Sequence, residues 1–256
     1  MKKNRYKVDT PSRSKHLPNN DLSYSNLIVE IGRLFINIPY ESGTLECPGK
    51  EKLVVNLSAF DCTTFVETVL ALTKCAAAGN ISRYELKRNL KLICYRQGMI
   101  DGYSSRLHYF TDWLRDNENK KIITDMSRRL GGKPQRKKIN FMTTHRELYA
   151  ALKNEAERRK MSLIEKNLSR KTFYIIGKNN FGAIKTELKN GDVIAFATRE
   201  EGLDVAHVGF VLWQGKNPHL LHASKKEGNV IISTKTLLVY LKQNKNISGI
   251  IVARLL

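Results

Sequence analysis

Hydrophobic residues recur with a helical spacing along most of the chain up to about residue 170. Apolar positions three and four residues apart place their side chains on one face, which is typical of amphipathic helices that pack on a core. One of these helices begins at Cys62, and Gly79 is placed to end it. The other predicted helices span residues 23–35, 83–95, 107–117, 145–157 and 163–168.

The periodicity changes after Phe173, where short strand-like runs replace the helical pattern. Turns rich in glycine, asparagine and lysine separate these runs, which predicts consecutive strands joined by short loops. The predicted strands span residues 173–176, 192–197, 207–213, 220–223, 230–233 and 249–254. Helices followed by strands predict an α+β fold with an antiparallel sheet.

The start of the chain differs from the rest in composition. Residues 1–20 are polar and basic and are interrupted by Pro11 and Pro18, so we expect a flexible arm ahead of one domain at residues 21–256. Polar residues follow the basic start where a signal peptide would have an apolar run, so no export signal is visible. No window approaches the ~18 consecutive apolar residues of a membrane-spanning helix, which predicts no membrane span.

Basic residues strongly outnumber acidic ones, with 44 Lys and Arg against 24 Asp and Glu and a net charge of +20. Such an excess favours anionic partners, which include nucleic acids, phospholipid surfaces, acidic glycopolymers and acidic peptides. Solvated helix faces explain the same charges equally well. The basic clusters lie in no recognisable nucleic-acid-binding motif, so we expect no nucleic-acid partner.

The chain has four cysteines, Cys47, Cys62, Cys75 and Cys94. No pair has the C-x-x-C spacing of a zinc or redox site, so we expect free thiols. Cys62 differs from the others because it lies at a helix start, where unpaired backbone N–H groups and the helix dipole favour a thiolate. The alternative is an ordinary buried cysteine, since free cysteines are among the residues most often buried.

Two histidines lie on neighbouring predicted strands. His207 begins one strand and His222 stands near the end of the next, so a hairpin would bring both imidazoles to one side of the sheet. A cysteine nucleophile needs a base to take its proton and a polar group to hold that base. His219 is a rival to His222 for the orienting role, and a structural histidine is the ordinary alternative for each.

Three separated motifs together resemble the signature of NlpC-type cysteine peptidases, the papain-like enzymes that cut bacterial cell-wall peptides. These motifs are Asp61-Cys62-Thr63-Thr64-Phe65, His207-Val208-Gly209 and His222-Ala223-Ser224. A longer set resembles the branch described as N-acetylmuramoyl-L-alanine amidase-like, at residues 40–46, 61–67, 105–110, 112–113, 141–142, 191–194, 203–209 and 222–224. The resemblance implies a papain-like NlpC-type fold with the cysteine on a helix N-terminus, packed on an antiparallel sheet. It also implies a helical insertion, at about residues 81–170, within a single catalytic domain.

The resemblance also implies roles for individual residues. Cys62 would be the nucleophile, His207 the general base and His222 the group that orients it, while Tyr40 and a backbone N–H near Cys62 would bind the oxyanion. The candidate substrate-binding residues are Asp61, Arg106, His108, Asp204 and Ser224. Asp61 has an equally good interpretation as the cap of the cysteine helix. Asp204 and Ser224 flank the catalytic strands, and their alternative role is to support those strands.

The implied function is a peptidoglycan-fragment amidase that cleaves the N-acetylmuramoyl-L-alanine bond through an acyl-thioester, without a metal or cofactor. Its partners would be muropeptides, and its location would be periplasmic or exported. One alternative is an NlpC-type endopeptidase that cuts after D-glutamate in the stem peptide. Another, from a different class, is a non-catalytic binder of nucleic acid or an anionic polymer.

Overall fold

The computed structural model describes residues 24–46 and 49–256, so the predicted arm at residues 1–20 and Cys47 lie outside the described part of the chain. The described part has an α+β fold with an antiparallel sheet, as the order of helical and strand patterns predicts. Its α-helices are α1 (Tyr24–Arg33), α2 (Cys62–Ala77), α3 (Arg83–Cys94), α4 (Phe110–Asn119), α5 (Phe141–Thr144), α6 (Glu155–Ser169), α7 (Phe181–Ile184) and α8 (Leu237–Gln243). Its strands are β1 (Ile123–Asp125), β2 (Lys133–Gln135), β3 (Phe173–Gly177), β4 (Val193–Thr198), β5 (Val205–Gln214), β6 (Asn217–Ser224), β7 (Asn229–Ile232) and β8 (Ile247–Leu255).

The described strands form one sheet in the order β2-β3-β8-β4-β5-β6-β7, with β1 also paired to β8. Every pair is antiparallel. The central strands β4, β5 and β6 are therefore held by neighbours on both sides, and β5 and β6 carry the two candidate histidines.

The sheet buries both of its faces, because successive side chains of a strand point to opposite sides. On one face, Phe65 and Val69 of α2 belong to the same core as Phe210 of β5. On the other face, Leu237 of α8 belongs to a core that includes Phe196 of β4. This two-sided burial explains why every residue of β4 is buried.

The structure corrects the prediction of two separate helices at 145–157 and 163–168. Two short 3₁₀ turns precede α6, which then runs as one helix from Glu155 to Ser169. The helix begins there because the Asn154 side chain accepts hydrogen bonds from the backbone N–H groups of Ala156 and Glu157, as a good N-cap residue does. The apolar periodicity locates the helical region, but the cap sets its start.

The stretch predicted as a helical insertion also contains two short strands. β1 pairs with β8, and β2 pairs with β3, so the stretch extends the sheet at its edge. Three-residue strands carry too little pattern to be recognised in the sequence, and their long-range partners define them. Among the described residues, no helix has both the length and the apolar character needed to cross a bilayer.

Candidate active site

Cys62 is the first residue of α2, and its neighbour Asp61 caps the helix. Asp61 Oδ1 accepts a hydrogen bond from the Thr64 backbone N–H at 2.7 Å, and Thr64 Oγ1 accepts one from the Asp61 N–H at 3.0 Å. This reciprocal pair is a capping box, which satisfies backbone groups that the first helical turn leaves unpaired. The interpretation of Asp61 as a helix cap is confirmed, and the cap fixes where the helix presents Cys62.

The Cys62 thiol is in a less favourable place for a negative charge than the helix start alone indicates. Burial and the nearby Asp61 carboxylate raise the pKa of Cys62 to about 11, although the Val208 backbone and the Thr63 side chain donate hydrogen bonds that act in the opposite direction. The loss of hydration outweighs these hydrogen bonds. The thiol therefore holds its proton in the resting protein, contrary to the expectation of a thiolate.

His207 and His222 are brought together as the hairpin pattern predicts. His207 Nε2 lies 2.6 Å from His222 Nδ1, within hydrogen-bond distance. Gly209 makes room for this contact, because a Cβ atom at that position would lie 2.8 Å from the Cβ atom of His222. Lack of space for a side chain therefore explains why the His207-Val208-Gly209 motif ends in glycine.

Aromatic rings surround the two imidazoles. The Phe196 ring stacks on His207 with centroids 5.8 Å apart, and Tyr240 of α8 meets His222 edge-on at 6.0 Å. Burial lowers the pKa of His207 to about 3, helped by the neighbouring His222, and burial lowers the pKa of His222 to about 4. Both imidazoles are therefore neutral near pH 7.

Tyr240 is a member of this site that sequence reasoning missed. The apolar run around it, residues 237–241, signals a short buried helix, and Thr236 caps that helix through a hydrogen bond from the Val239 N–H. The run gives no indication of what the helix packs against. Burial and then the nearby Cys62 thiol raise the pKa of Tyr240, which agrees with its closeness to the nucleophile candidate.

Tyr40 approaches Cys62 from a separate segment. The Glu41 N–H donates to the Phe60 carbonyl at 3.0 Å, and the Phe60 N–H donates to the Pro39 carbonyl at 3.0 Å, so the two chain segments run side by side just before α2. Burial, followed by the nearby Cys62 and Asp61 side chains, raises the pKa of Tyr40 to about 12. Its hydroxyl group therefore keeps its proton and remains a hydrogen-bond donor.

A groove of about 130 Å³ opens beside the thiol. It is lined by Cys62, Thr63, Val66, Glu67, Leu107, His108, Phe110, Trp113, Leu203, Asp204, Val205, Ala206, His207 and Val208. Its walls come from α2, from the stretch before and within α4, and from the turn that leads into β5. Most of these side chains are apolar, which suits a site that excludes water around a few polar groups.

Asp204 lines the groove, but its carboxylate is occupied within the protein. Asp204 Oδ2 accepts hydrogen bonds from the Thr111 N–H at 2.7 Å and the Thr111 hydroxyl at 2.8 Å, and Oδ1 accepts one from the Val205 N–H at 2.8 Å. It therefore caps α4 from outside, since Tyr109 at the N-cap position makes no side-chain cap. This supports the interpretation of Asp204 as a positioning residue.

Arg106 and Ser224 lie elsewhere. The Arg106 guanidinium is buried and lies 2.9 Å from Glu67 Oε2, and Arg106 is not among the residues that line the groove. The Ser224 hydroxyl accepts a hydrogen bond from the Glu227 N–H at 3.2 Å, in the turn after β6, and Ser224 does not line the groove either. The structure thus corrects the expectation that Arg106 is available to bind substrate in this groove.

His219, the rival to His222, has a different partner. Its Nδ1 lies 2.8 Å from the Ser233 carbonyl oxygen, to which it donates a hydrogen bond. Because His219 and His222 are three positions apart on β6, their side chains point to opposite faces of the sheet. Of the two, only His222 contacts His207.

Alkylation of Cys62 by iodoacetamide is expected to be slow at neutral pH and to accelerate about tenfold per pH unit as the pH rises, because only the thiolate reacts and the pKa of about 11 keeps it scarce. Mass spectrometry of peptides labelled over a pH series measures this in a Cys47→Ser background. Cys75 and Cys94 are buried and serve as unreactive internal controls. Rapid labelling at mildly acidic pH would contradict the protonated thiol.

Side chains that could hold a metal ion are not gathered in this part of the molecule. Across residues 24–46 and 49–256, no group of three or more His, Cys, Asp or Glu side chains is arranged as a metal site. The polar chemistry of the groove therefore has to be described in terms of the thiol, the imidazoles, the hydroxyls and the backbone N–H groups named above.

Known proteins resemble this chain in sequence and in fold. The family model AmiA-like, described as N-acetylmuramoyl-L-alanine amidase-like, matches residues 30–250. A solved N-acetylmuramoyl-L-alanine amidase from Bacteroides uniformis ATCC 8492 is 36% identical, covers 91% of this chain and 99% of its own, and superposes with a TM-score of 0.87. No curated protein matches the chain.

Two further solved structures are similar. A protein from Bacteroides fragilis, provisionally described as a xylanase, is 38% identical over 88% of this chain and 99% of its own, with a TM-score of 0.83. A protein from Legionella pneumophila is 21% identical over 93% of this chain and 90% of its own, with a TM-score of 0.68, and shares the fold. Since the family model spans most of the sequence and the Bacteroides uniformis amidase matches it nearly end to end, the chain belongs to the N-acetylmuramoyl-L-alanine amidase-like family.

Proposed function

We propose that the protein is a cysteine-dependent N-acetylmuramoyl-L-alanine amidase with a papain-like NlpC-type site, in which Cys62 is the nucleophile and His207 the general base. The observation that carries this proposal is the 2.6 Å contact between His207 Nε2 and His222 Nδ1. His207 lies on β5, and the backbone N–H of the next residue, Val208, donates a hydrogen bond to the Cys62 thiol. A nucleophile beside a base that a third group orients is the arrangement that covalent catalysis requires.

The hydrogen bond also implies which ring atoms carry protons. If His207 is to accept the Cys62 proton at Nδ1, its own proton must be on Nε2, which then donates to His222 Nδ1. His222 therefore holds its proton on Nε2 and acts as an acceptor. When His207 becomes positively charged, this hydrogen bond to the unprotonated His222 nitrogen still holds, and it stabilises the imidazolium.

The proposed reaction begins from a neutral thiol and a neutral imidazole. The Cys62 proton moves to His207 as sulfur attacks the amide carbon, and the resulting oxyanion accepts hydrogen bonds from the Tyr40 hydroxyl and the Cys62 backbone N–H. The imidazolium is a strong acid, because burial lowers the pKa of His207 to about 3, and it protonates the leaving nitrogen. Water then gives a proton to His207 and attacks the thioester carbon. The carbon–sulfur bond breaks, the muramyl carboxylic acid leaves, and the proton on His207 returns to the Cys62 sulfur.

The bond assignment follows the family. In the proposed substrate, the amide joins the lactyl group of N-acetylmuramic acid to L-alanine, so the muramyl part would be held on sulfur. A periplasmic or exported location belongs to the same proposal, since such fragments derive from the cell wall. We also infer one catalytic domain at residues 21–256 with an insertion at 81–170, because residues of that stretch, Leu107 to Trp113, supply one wall of the groove.

Glycoside hydrolysis, the activity in the provisional description of the Bacteroides fragilis protein, fits this groove poorly. It generally needs two carboxyl groups free to act as acid and as base or nucleophile. The carboxylates that line the groove are Glu67, which is paired with Arg106, and Asp204, which accepts three hydrogen bonds within the protein. Both are committed to structural contacts.

The test is incubation with purified anhydro-muropeptides, followed by mass analysis of the products. Release of the intact stem peptide from the sugar is expected for the amidase. L-Ala-D-Glu left on the sugar would instead show an endopeptidase, and binding without any cleavage would show a binding protein. Either of these two results would overturn the proposed reaction.

Replacement of single histidines is expected to rank their roles. His207→Ala should lower kcat by about 10²–10⁴-fold, because it removes the general base, and His222→Ala should lower it less, by about tenfold, because the base is present but poorly held. His219→Ala is the matched control on the same strand and should leave kcat nearly unchanged. A larger loss at His219 than at His222 would reverse the assignment of the orienting residue.

A further inference from the structure

The groove contains a hydrogen-bonding atom that the proposed reaction does not use. His108 lines the groove together with Cys62, and its Nε2 lies 3.0 Å from the Tyr103 carbonyl oxygen. A carbonyl oxygen only accepts hydrogen bonds, so Nε2 must carry the proton of the ring. Nδ1 is then an unprotonated acceptor, and it makes no hydrogen bond within residues 24–46 and 49–256.

The ring is fixed in this orientation by its surroundings. The Tyr103 ring lies against it with centroids 4.3 Å apart, and the Tyr103 hydroxyl is itself anchored by donating to Glu46 at 2.6 Å. Three residues further on, the Asp204 carboxylate holds Thr111 at the start of α4. Because the chain is held on both sides of His108, the Nδ1 atom of this residue has a defined position in the groove.

His108 also stays neutral, so that Nδ1 remains an acceptor. Burial, and then the positive charges of Arg106 and Arg96, lower the pKa of His108 to about 3. The walls near it include the stacked rings of Phe110 and Trp113, which exclude water. A ligand that fills the groove without offering a donor would leave this acceptor buried and unpaired, which is costly.

We propose that His108 is a substrate-binding residue whose Nδ1 accepts a hydrogen bond from an amide N–H of the muramyl peptide. The inference rests on the proposed function for the identity of the substrate. Among the amide groups of such a substrate, two flank the lactyl group next to the scissile bond, namely the L-alanyl nitrogen and the acetamido nitrogen of the sugar. Both are neutral and planar, as a narrow apolar groove requires.

Two substitutions separate substrate binding from a purely structural role. His108→Asn places an amide oxygen near the position of Nδ1 and loses the contact with the Tyr103 carbonyl, whereas His108→Gln places its amide near Nε2, keeps that contact and loses the groove acceptor. Each is made in a Cys62→Ala background, so that binding is measured without turnover. The probe is N-acetylmuramoyl-L-alanyl-D-isoglutamine, and its dissociation constant is measured by calorimetry.

We expect His108→Gln to weaken binding about tenfold and His108→Asn to weaken it less, as for the loss of one buried hydrogen bond. Methylation of whichever nitrogen supplies the donor should weaken binding to the parent protein and have little further effect on His108→Gln. Comparing a probe methylated at the L-alanyl nitrogen with one methylated at the acetamido nitrogen shows which of these two nitrogens is the donor.

The opposite order, with His108→Asn the weaker binder, would show a structural role and overturn the inference. Absence of probe binding, or equal binding by all variants, would overturn it as well. Failure of the proposed function is a separate result. In that case the unsubstituted protein does not cleave the muramoyl–L-alanine amide, whatever the binding experiment shows. Thermal unfolding of each variant identifies any loss of binding that is caused by misfolding.

Discussion

Replacing Cys62 with alanine is expected to abolish cleavage of muropeptides, with kcat lowered on the order of 10⁴-fold or more. The thiol is the atom that forms the covalent bond, and no neighbouring group can take its place in the proposed reaction. Because the Cys62 side chain is only partly buried and alanine is a good helix former, the fold should survive the change. Product release measured by mass spectrometry, together with thermal unfolding, tests both halves of the expectation.

Cys62→Ser is the companion variant. A serine hydroxyl is a much weaker nucleophile beside a neutral imidazole, so we expect activity close to that of Cys62→Ala, with binding of muropeptides retained. Cys75→Ala provides a matched control on the same helix, since Cys75 is a buried thiol at the far end of α2 and should leave turnover intact once folding is verified. Ordinary activity of Cys62→Ala would exclude the thioester mechanism.

Replacing Arg106 with methionine is expected to lower the free energy of unfolding by about 3–5 kcal/mol, the usual cost of leaving a buried charge without its partner. Arg106 is 5% exposed, and its guanidinium pairs with Glu67, which is 2% exposed. Burial raises the pKa of Glu67, and Arg106 is the main group that counteracts this effect. Without Arg106, Glu67 must remain charged and unpaired or take up a proton.

Urea denaturation measures this loss of unfolding free energy, and two further variants show whether the buried charge causes it. Arg88→Met removes an ion pair with Glu85 in which the arginine side chain is 61% exposed, and it should leave the free energy of unfolding nearly unchanged because water screens the pair. Arg106→Met combined with Glu67→Leu should recover much of the stability, since no buried charge remains. A small effect of Arg106→Met alone would show that the pair contributes little to folding.

The position of the Glu67–Arg106 pair also connects stability with the site. Glu67 lies on α2 five residues after Cys62, and it lines the groove, while Arg106 precedes the His108 segment by two residues. The pair therefore holds the cysteine helix against the segment that forms the opposite wall. We expect activity of Arg106→Met to fall together with stability, which distinguishes it from a variant that loses only a substrate contact.

Local patterns in the sequence were sufficient for the main elements of the fold. The apolar spacing predicts the helix that begins at Cys62, and a cap is one of the two roles that the sequence allows for Asp61. Most strands were found within a few residues of their true ends, and their order predicted the antiparallel sheet. These features depend on residues that are close in sequence, where spacing and capping chemistry act directly.

Other features depend on segments that are distant in sequence, so local patterns do not reveal them. The proton on the Cys62 thiol follows from burial by several elements together, which a helix start cannot reveal. The choice of His222 over His219 depends on which face of β6 meets His207.

The contacts of Arg106 and Tyr240 likewise depend on residues that are distant in sequence. The sequence predicts Arg106 as a substrate-binding residue, yet the partner that folding supplies is Glu67. Tyr240, in a run that resembles any short apolar helix, reaches the two histidines only through the packing of α8 on the sheet. Local sequence patterns thus predict the elements and the reactive residue types. Packing sets the protonation of these residues, their partners and the shape of the groove, because burial and long-range contacts are properties of the whole fold.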